Sequence, residues 1–176
     1  MSQDKPKHDD LEGAPFRFAI VKAGYNGKLV EALYQQVCQT LLAKRVQPDH
    51  IKTWSVPGSG EIPYLVNLAA ITQEYDCIIG LGVVIAGDTP HHEIIAHSTA
   101  KAMQDIGLQT QVPVINGIVV TNNLQQAEVR CLGPQARGHE FAEAALVMAQ
   151  HQLKFQEHLD DLGLSRDSAE DSFEQN

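Results

Sequence analysis

Residues 77–85 read Cys-Ile-Ile-Gly-Leu-Gly-Val-Val-Ile, and after one alanine residues 87–92 read Gly-Asp-Thr-Pro-His-His. Nine uncharged residues with no polar alternation describe a strand covered on both faces, as the central strands of parallel sheets are. Parallel neighbours need helical crossovers, and the flanks supply them. Residues 16–22 (FRFAIVK) form a short β-former run ahead of the turn residues Gly24, Asn26 and Gly27. Leu29, Leu33, Val37 and Leu41 then recur every fourth residue, the stripe of an amphipathic helix. Residues 51–56 predict a second strand closed by Pro57-Gly58-Ser59-Gly60, and Leu65, Leu68, Ala69 and Ile71 a helix after it. Beyond the central strand a helix is expected from about His91, then a strand over 112–120 and helices over roughly 123–130 and 139–156. This βαβαβαβα order gives right-handed crossovers and an α/β fold of three layers: a four-stranded parallel sheet with helices on both faces. Ligands of such sheets bind beyond the carboxyl ends of the strands, so the informative segments are 23–28, 57–61, 83–92 and 116–122.

The 176 residues suit one domain with short ends, and 43% hydrophobic with 20% charged residues is ordinary globular composition. The net charge of −9 belongs to those ends. Four acids and two lysines leave −2 on residues 1–15, and seven acids and one arginine leave −6 on 157–176. Residues 1–15 are expected to be a flexible N-terminal segment, 16–156 the domain, and 157–176 an acidic, disordered tail. No Lys/Arg cluster offers a face to nucleic acid. No apolar run approaches the ~20 residues of a membrane span, and residues 1–10 lack the apolar stretch of a signal peptide. Cys38, Cys77 and Cys131 are odd in number and form no CxxC pair, which argues against a disulfide framework and for a reducing cytoplasm.

Several loop residues admit two readings each. Thr89 or Asp88 suits an N-cap, with Pro90 at the first helical position. The free N–H groups beyond Gly87 then form either an anion site with His91 about one turn away, or a well-capped helix bearing two surface histidines. Glu61 is either a functional carboxylate or a first-turn acid favoured by the helix dipole. Ser59 lies between glycines, but Pro57 breaks the G-x-S-x-G spacing of a serine hydrolase. Arg130 either favours a helix C-terminus or clamps a phosphate with its planar fork. Tyr25 is an exposed loop aromatic or a stacking plate for a flat ring. The remaining histidines show no HExxH or comparable zinc spacing.

Taken together, RFAIV with Tyr25-Asn26, VPGSGEIP at 56–63, YDCIIGLGVVIAGDTPHHE at 75–93, VPVINGIVVTNNLQQAEVR at 112–130 and ARG…EAAL…MA at 136–149 resemble the lumazine synthase (6,7-dimethyl-8-ribityllumazine synthase) family. The resemblance implies a flavodoxin-like sheet and a homopentamer, or a higher homo-oligomer, with active sites between adjacent subunits. It implies condensation of 5-amino-6-(D-ribitylamino)uracil with 3,4-dihydroxy-2-butanone 4-phosphate in riboflavin biosynthesis, with no metal or organic cofactor. Riboflavin synthase is an implied partner. By the same resemblance His91 is the catalytic histidine. Asp88, Thr89 and the helix N-terminus match the phosphate loop, and Arg130 matches the arginine that holds phosphate from the neighbouring subunit. Tyr25 and Asn26 lie in the turn that stacks on the pyrimidine, and Ser59, Gly60, Glu61, Val83, Val84 and Ile85 match the pyrimidine and ribityl contacts. Arg137 lines up with a family lysine at the same interface.

The chain departs from the family where an aromatic residue usually occupies the Gly60 position and a Phe the Asn116 position. The loop after Arg130 lacks the usual Gly-Thr-Lys and is one residue shorter. These departures leave an alternative: a non-catalytic paralogue that binds lumazine or flavin ligands. A generic flavodoxin-like flavin binder fits less well, because residues 23–28 lack a hydroxyl-rich phosphate turn.

Overall fold

A computed structural model describes residues 11–164. The apolar run at 77–85 is the strand β3 (Cys77–Ile85), in the interior of an all-parallel sheet. It lies between β1 (Phe18–Ala23) and β4 (Val114–Thr121), with β2 (Ile51–Val56) outside β1, in the order β2-β1-β3-β4. The register sets Phe18 opposite both Ile51 and Cys77, and Ile78 opposite Val114.

The two-residue period of a strand sorts the core into two layers. Phe18, Ile20, Cys77, Ile79 and Leu81 pack among α1 (Gly27–Ala43), α4 (Leu124–Cys131) and α5 (Gly138–Asp161). Ala19, Val21, Ala23 and Ile78 pack against α2 (Ile62–Ile71) and α3 (His91–Thr110) on the other face. The predicted stripe of α1 is the buried one: Leu29, Leu33, Val37 and Leu41 all face the first layer. Each such side chain contributes roughly 1.5–3 kcal/mol by leaving water. Lys22 falls in the same alternation as Phe18 and Ile20 at the end of β1. Its charge is met there by Glu31 at 2.6 Å and by the Tyr34 ring, 4.3 Å from the ammonium to the ring centre.

Boundaries differ from expectation at both ends of the domain. Leu11 is buried in the first core layer, and the Gly13 N–H donates to Lys44 O at 2.7 Å, so packing against the domain begins before residue 16. At the other end α5 runs to Asp161, five residues past the expected limit at 156. Lys154, Gln156, Glu157 and Leu159 are good helix formers, and helix propagation there outweighs the acidity that suggested a tail. The rest of the two expected flexible ends, residues 1–10 and 165–176, lies outside the described residues. All three cysteines are free thiols, and burial pushes that of Cys131 up to about 11.

Candidate active site

All four parallel strands end on the same side of the sheet, and backbone bonds stitch the loops there. Gly24 N–H donates to Val56 O at 2.8 Å and Tyr25 N–H to Pro57 O at 3.1 Å, which joins the turn after β1 to the turn after β2. Asn26 takes the left-handed conformation (φ 55°, ψ 37°), which Asn tolerates better than most residues. Instead of capping α1, its side-chain N–H donates to Val83 O at 2.8 Å, joining the turn after β1 to the end of β3. Tyr25 is 73% exposed, and a Cβ at Gly58 would stand 3.2 Å from its ring. An uncovered aromatic face over a glycine turn is a platform for a flat molecule.

The 59–61 turn is built from its own carboxylate. Glu61 Oε2 accepts from the Gly58 N–H at 2.8 Å, so this side chain serves its turn first, and one oxygen is already committed. Ser59 is buried against β3: a Cβ on Gly82 would lie 2.4 Å from its hydroxyl oxygen, a closeness that only glycine permits without a shift. Gly60 is open, with only the Ile95 Cδ1 within reach of a Cβ, at 3.5 Å.

Past β3, Val83 is buried while Val84 and Ile85 are half-buried. The Ala86 N–H donates to Thr121 O at 2.8 Å and prolongs the β3–β4 pairing. Asp88, Thr89 and His91 are all exposed. The expected Thr89 or Asp88 cap is not formed: Pro90 occupies the N-cap position and α3 starts at His91 with no side-chain cap. The first carbonyl to accept a helical N–H is that of Pro90, so the boundary falls one residue later than expected. Glu93 and Ile94 donate their N–H groups to Pro90 O, but among the described residues no side chain accepts from the N–H groups of His91 and His92. The two histidines differ sharply. His92 Nδ1 donates to Thr89 O at 3.1 Å and its Nε2 lies 3.9 Å from the Glu93 carboxylate. His91 makes no side-chain hydrogen bond among the described residues. Ile95, one helical turn after His91, touches the Gly60 position, so the start of α3 and the 59–61 turn are neighbours.

Tyr25, Asn26, Ser59, Gly60, Glu61, Val83, Val84, Ile85, Asp88, Thr89 and His91 therefore belong to one end of the sheet. Asn116, Arg130 and Arg137 do not. Asn116 pairs with Gly80, five residues short of the end of β3, which places it ~17 Å down the strand. Its Oδ1 accepts from Ile118 N–H at 3.1 Å. Arg130 sits in the last turn of α4, half-buried and with no side-chain partner among the described residues. Arg137 stands at the N-cap of α5, its Nε 2.6 Å from Glu140 and its guanidinium 6.0 Å from the Phe141 ring centre. All three lie on β4, an edge strand, or on the helices that follow it. The carbonyl of Pro57, which holds the Tyr25 turn, carries no sequence signal and was not among the expected site groups. Among the described residues no helix is long and apolar enough to cross a membrane.

A model of the 6,7-dimethyl-8-ribityllumazine synthase family matches residues 15–152. The 6,7-dimethyl-8-ribityllumazine synthase of Xylella fastidiosa (strain 9a5c) is 39% identical over 140 residues, covering 79% of this chain and 91% of its own. The protein of that name from Polaromonas sp. (strain JS666) is 36% identical over 146 residues, 83% of this chain and 93% of its own. That from Xanthomonas euvesicatoria pv. vesicatoria (strain 85-10) is 37% identical over 138 residues, 78% and 90%. With the parallel sheet already described, the match across nearly the whole domain means that this chain belongs to the 6,7-dimethyl-8-ribityllumazine synthase family.

Proposed function

We propose that the chain condenses 5-amino-6-(D-ribitylamino)uracil with 3,4-dihydroxy-2-butanone 4-phosphate to form 6,7-dimethyl-8-ribityllumazine. The observation that carries this reading is an unencumbered imidazole, His91, on the first residue of an uncapped helix, at the same end of the sheet as the exposed Tyr25 ring. The bare N–H groups at the start of α3 and the positive end of its dipole suit a phosphate, flanked by Asp88 and Thr89. The pyrimidine lies over Tyr25, with its polar edge and ribityl chain against residues 59–61 and 83–85. Its amine attacks the ketone and forms an imine with loss of water, phosphate is eliminated, and the second ring closes with loss of a second water. Protons move at each step. An imidazole can both accept and donate them, which is the role assigned to His91. The reaction needs no metal or organic cofactor, because the intermediates carry their own electron sink.

One chain holds only part of the phosphate's counter-charge. Arg130, and with it Asn116 and Arg137, reaches such a site when an adjacent subunit presents its β4 side. Val120, Leu124 and Leu132 are 42%, 54% and 45% exposed along that side, apolar surface on an edge strand of the kind a partner chain covers. A homopentamer with the site between neighbours is the assembly this reading requires, in the cytoplasm. Riboflavin synthase, the enzyme that takes up the product, is its partner in the pathway.

Mixing the purified protein with both substrates and recording lumazine fluorescence together with phosphate release tests the activity. Tight binding of the pyrimidine with no product would replace the enzyme by a non-catalytic lumazine binder. Native mass spectrometry showing a stable single chain that nevertheless turns over would overthrow the shared site.

A further inference from the structure

Arg130 and Arg137 flank a six-residue connection between α4 and α5, and their backbones meet: Arg137 N–H donates to Arg130 O at 2.9 Å. The residue after each arginine is held by one side chain from a third helix. Gln36 of α1 donates its Nε2–H to Cys131 O at 2.7 Å and accepts the Gly138 N–H on Oε1 at 3.0 Å. Those two bonds reach 95 and 102 residues along the chain. They use both ends of the amide, so its orientation is fixed: a flipped amide would set oxygen against carbonyl and NH₂ against N–H. The fit is close. A Cβ at Gly138 would lie 2.5 Å from the Gln36 Cβ and 2.7 Å from Leu33 O, so α5 can start this near α1 only from a glycine. One turn along α1, the Thr40 hydroxyl donates to Gln36 O at 3.0 Å and lies 2.7 Å from His139 Nδ1, a second tie to the start of α5.

We propose that Gln36 is a positioning residue for phosphate binding: its amide clamps the end of α4 to the start of α5 and thereby sets where Arg130 stands at the subunit boundary. The inference rests on the reading of Arg130 as the phosphate ligand given to the neighbouring site. Gln36 touches no substrate. Its effect passes through the backbone on either side of residues 131–138. A carboxylate in place of the amide keeps an acceptor for Gly138 N–H but turns an oxygen toward Cys131 O, and a leucine keeps neither bond.

The test uses the full chain with Gln36→Leu, Gln36→Glu, Arg130→Ala and the double variant Gln36→Leu/Arg130→Ala. Steady-state constants are measured for both substrates, and the dissociation constant of inorganic phosphate serves as a direct probe. Gln36→Leu is expected to raise KM for the butanone phosphate and Kd for phosphate on the order of tenfold, short of the ~100-fold that a 1 Å misplacement can cause. KM for the pyrimidine should stay within about twofold. Because Gln36 acts through Arg130, the double variant should be no weaker toward phosphate than Arg130→Ala alone. Gln36→Glu should show the same selectivity at smaller size, and it carries the test should the leucine variant fail to fold. Equal shifts in both KM values, or fully additive losses in the double variant, would overturn the proposal. An effective Arg130→Ala beside a silent Gln36→Leu removes Gln36 alone. A silent Arg130→Ala removes the underlying reading of the site, and Gln36 with it.

Discussion

The proposed site, shared between subunits, has a wired half and an open half. Around Tyr25, Asn26 and residues 57–61, each turn is tied to the next within one chain, through Pro57 O, Val83 O and the Glu61 carboxylate. At the start of α3 and along the β4 side, His91 and Arg130 hold their side chains without such ties among the described residues. A rigid platform costs little further entropy when a flat ring settles on it. Groups that must follow a moving phosphate and exchange protons gain from having no competing partner. On the proposed reading, chemistry belongs to the open half and orientation to the wired one.

The largest expected effect lies in the open half. His91→Ala should lower turnover by on the order of 10²–10⁴, the usual contribution of general acid–base catalysis, with the assembly intact by native mass spectrometry. His92→Ala should do far less, because that ring spends its Nδ1–H on Thr89 O. Equal losses from the two variants would erase the distinction between them.

Next in size is Arg130→Ala. A charge-assisted bond to phosphate contributes roughly 1.5–3 kcal/mol, so KM for the butanone phosphate should rise about ten- to hundredfold while that for the pyrimidine moves little. Arg130→Lys should recover part of the loss, since a point charge cannot reproduce the bidentate fork. A rise confined to the pyrimidine would place the phosphate in the wired half.

The wired half should fail through stability rather than rate. Asn26→Gly keeps the left-handed backbone and loses the bond to Val83 O, at ~0.5–1.5 kcal/mol. Asn26→Ala adds the cost of that conformation, roughly 1–2 kcal/mol more. Urea denaturation should therefore rank the natural protein above Gly above Ala. An Ala variant as stable as the Gly one would mean that the turn relaxes and is not wired.

Much of this was legible in the residues themselves. The uninterrupted run 77–85 marked β3 to the residue, because a strand buried on both faces has only one composition open to it. Residues 51–56 and the stripe at 29, 33, 37 and 41 were as clear. β1 starts two residues later than the apolar signal, since Phe16 is buried outside the strand that its type suggested. Leu11 looked isolated among acids, and nothing local says that it reaches the core. The missed groups share a cause. Pro57 acts through its carbonyl, and Gln36 through bonds spanning about a hundred residues, so neither leaves a mark on its neighbours in sequence. Thr89 looked like a cap because its type is right, but Pro90 decided the boundary.

The smallest expected effect probes where the two halves meet. Gly60 lacks the aromatic ring that the resemblance leads one to expect, and only Ile95 Cδ1 borders the vacant direction, at an ordinary contact distance of 3.5 Å. A ring placed there belongs to the wired half and needs no neighbouring subunit. Gly60→Phe should then tighten the pyrimidine, or a lumazine product analogue, by the ~0.5–1.5 kcal/mol that aromatic pairs add beyond buried area, a few-fold to about tenfold in Kd by fluorescence titration. Asn116→Phe supplies a ring on β4, far from the crevice of its own chain, and gives up the local bond to Ile118 N–H. It can tighten the same ligand only if the neighbour's β4 faces the site. Gain from both rings would join the open half to the wired one across the boundary. Gain from Gly60→Phe alone would leave the pyrimidine wholly on the platform of one chain, with the partner supplying charge and no wall.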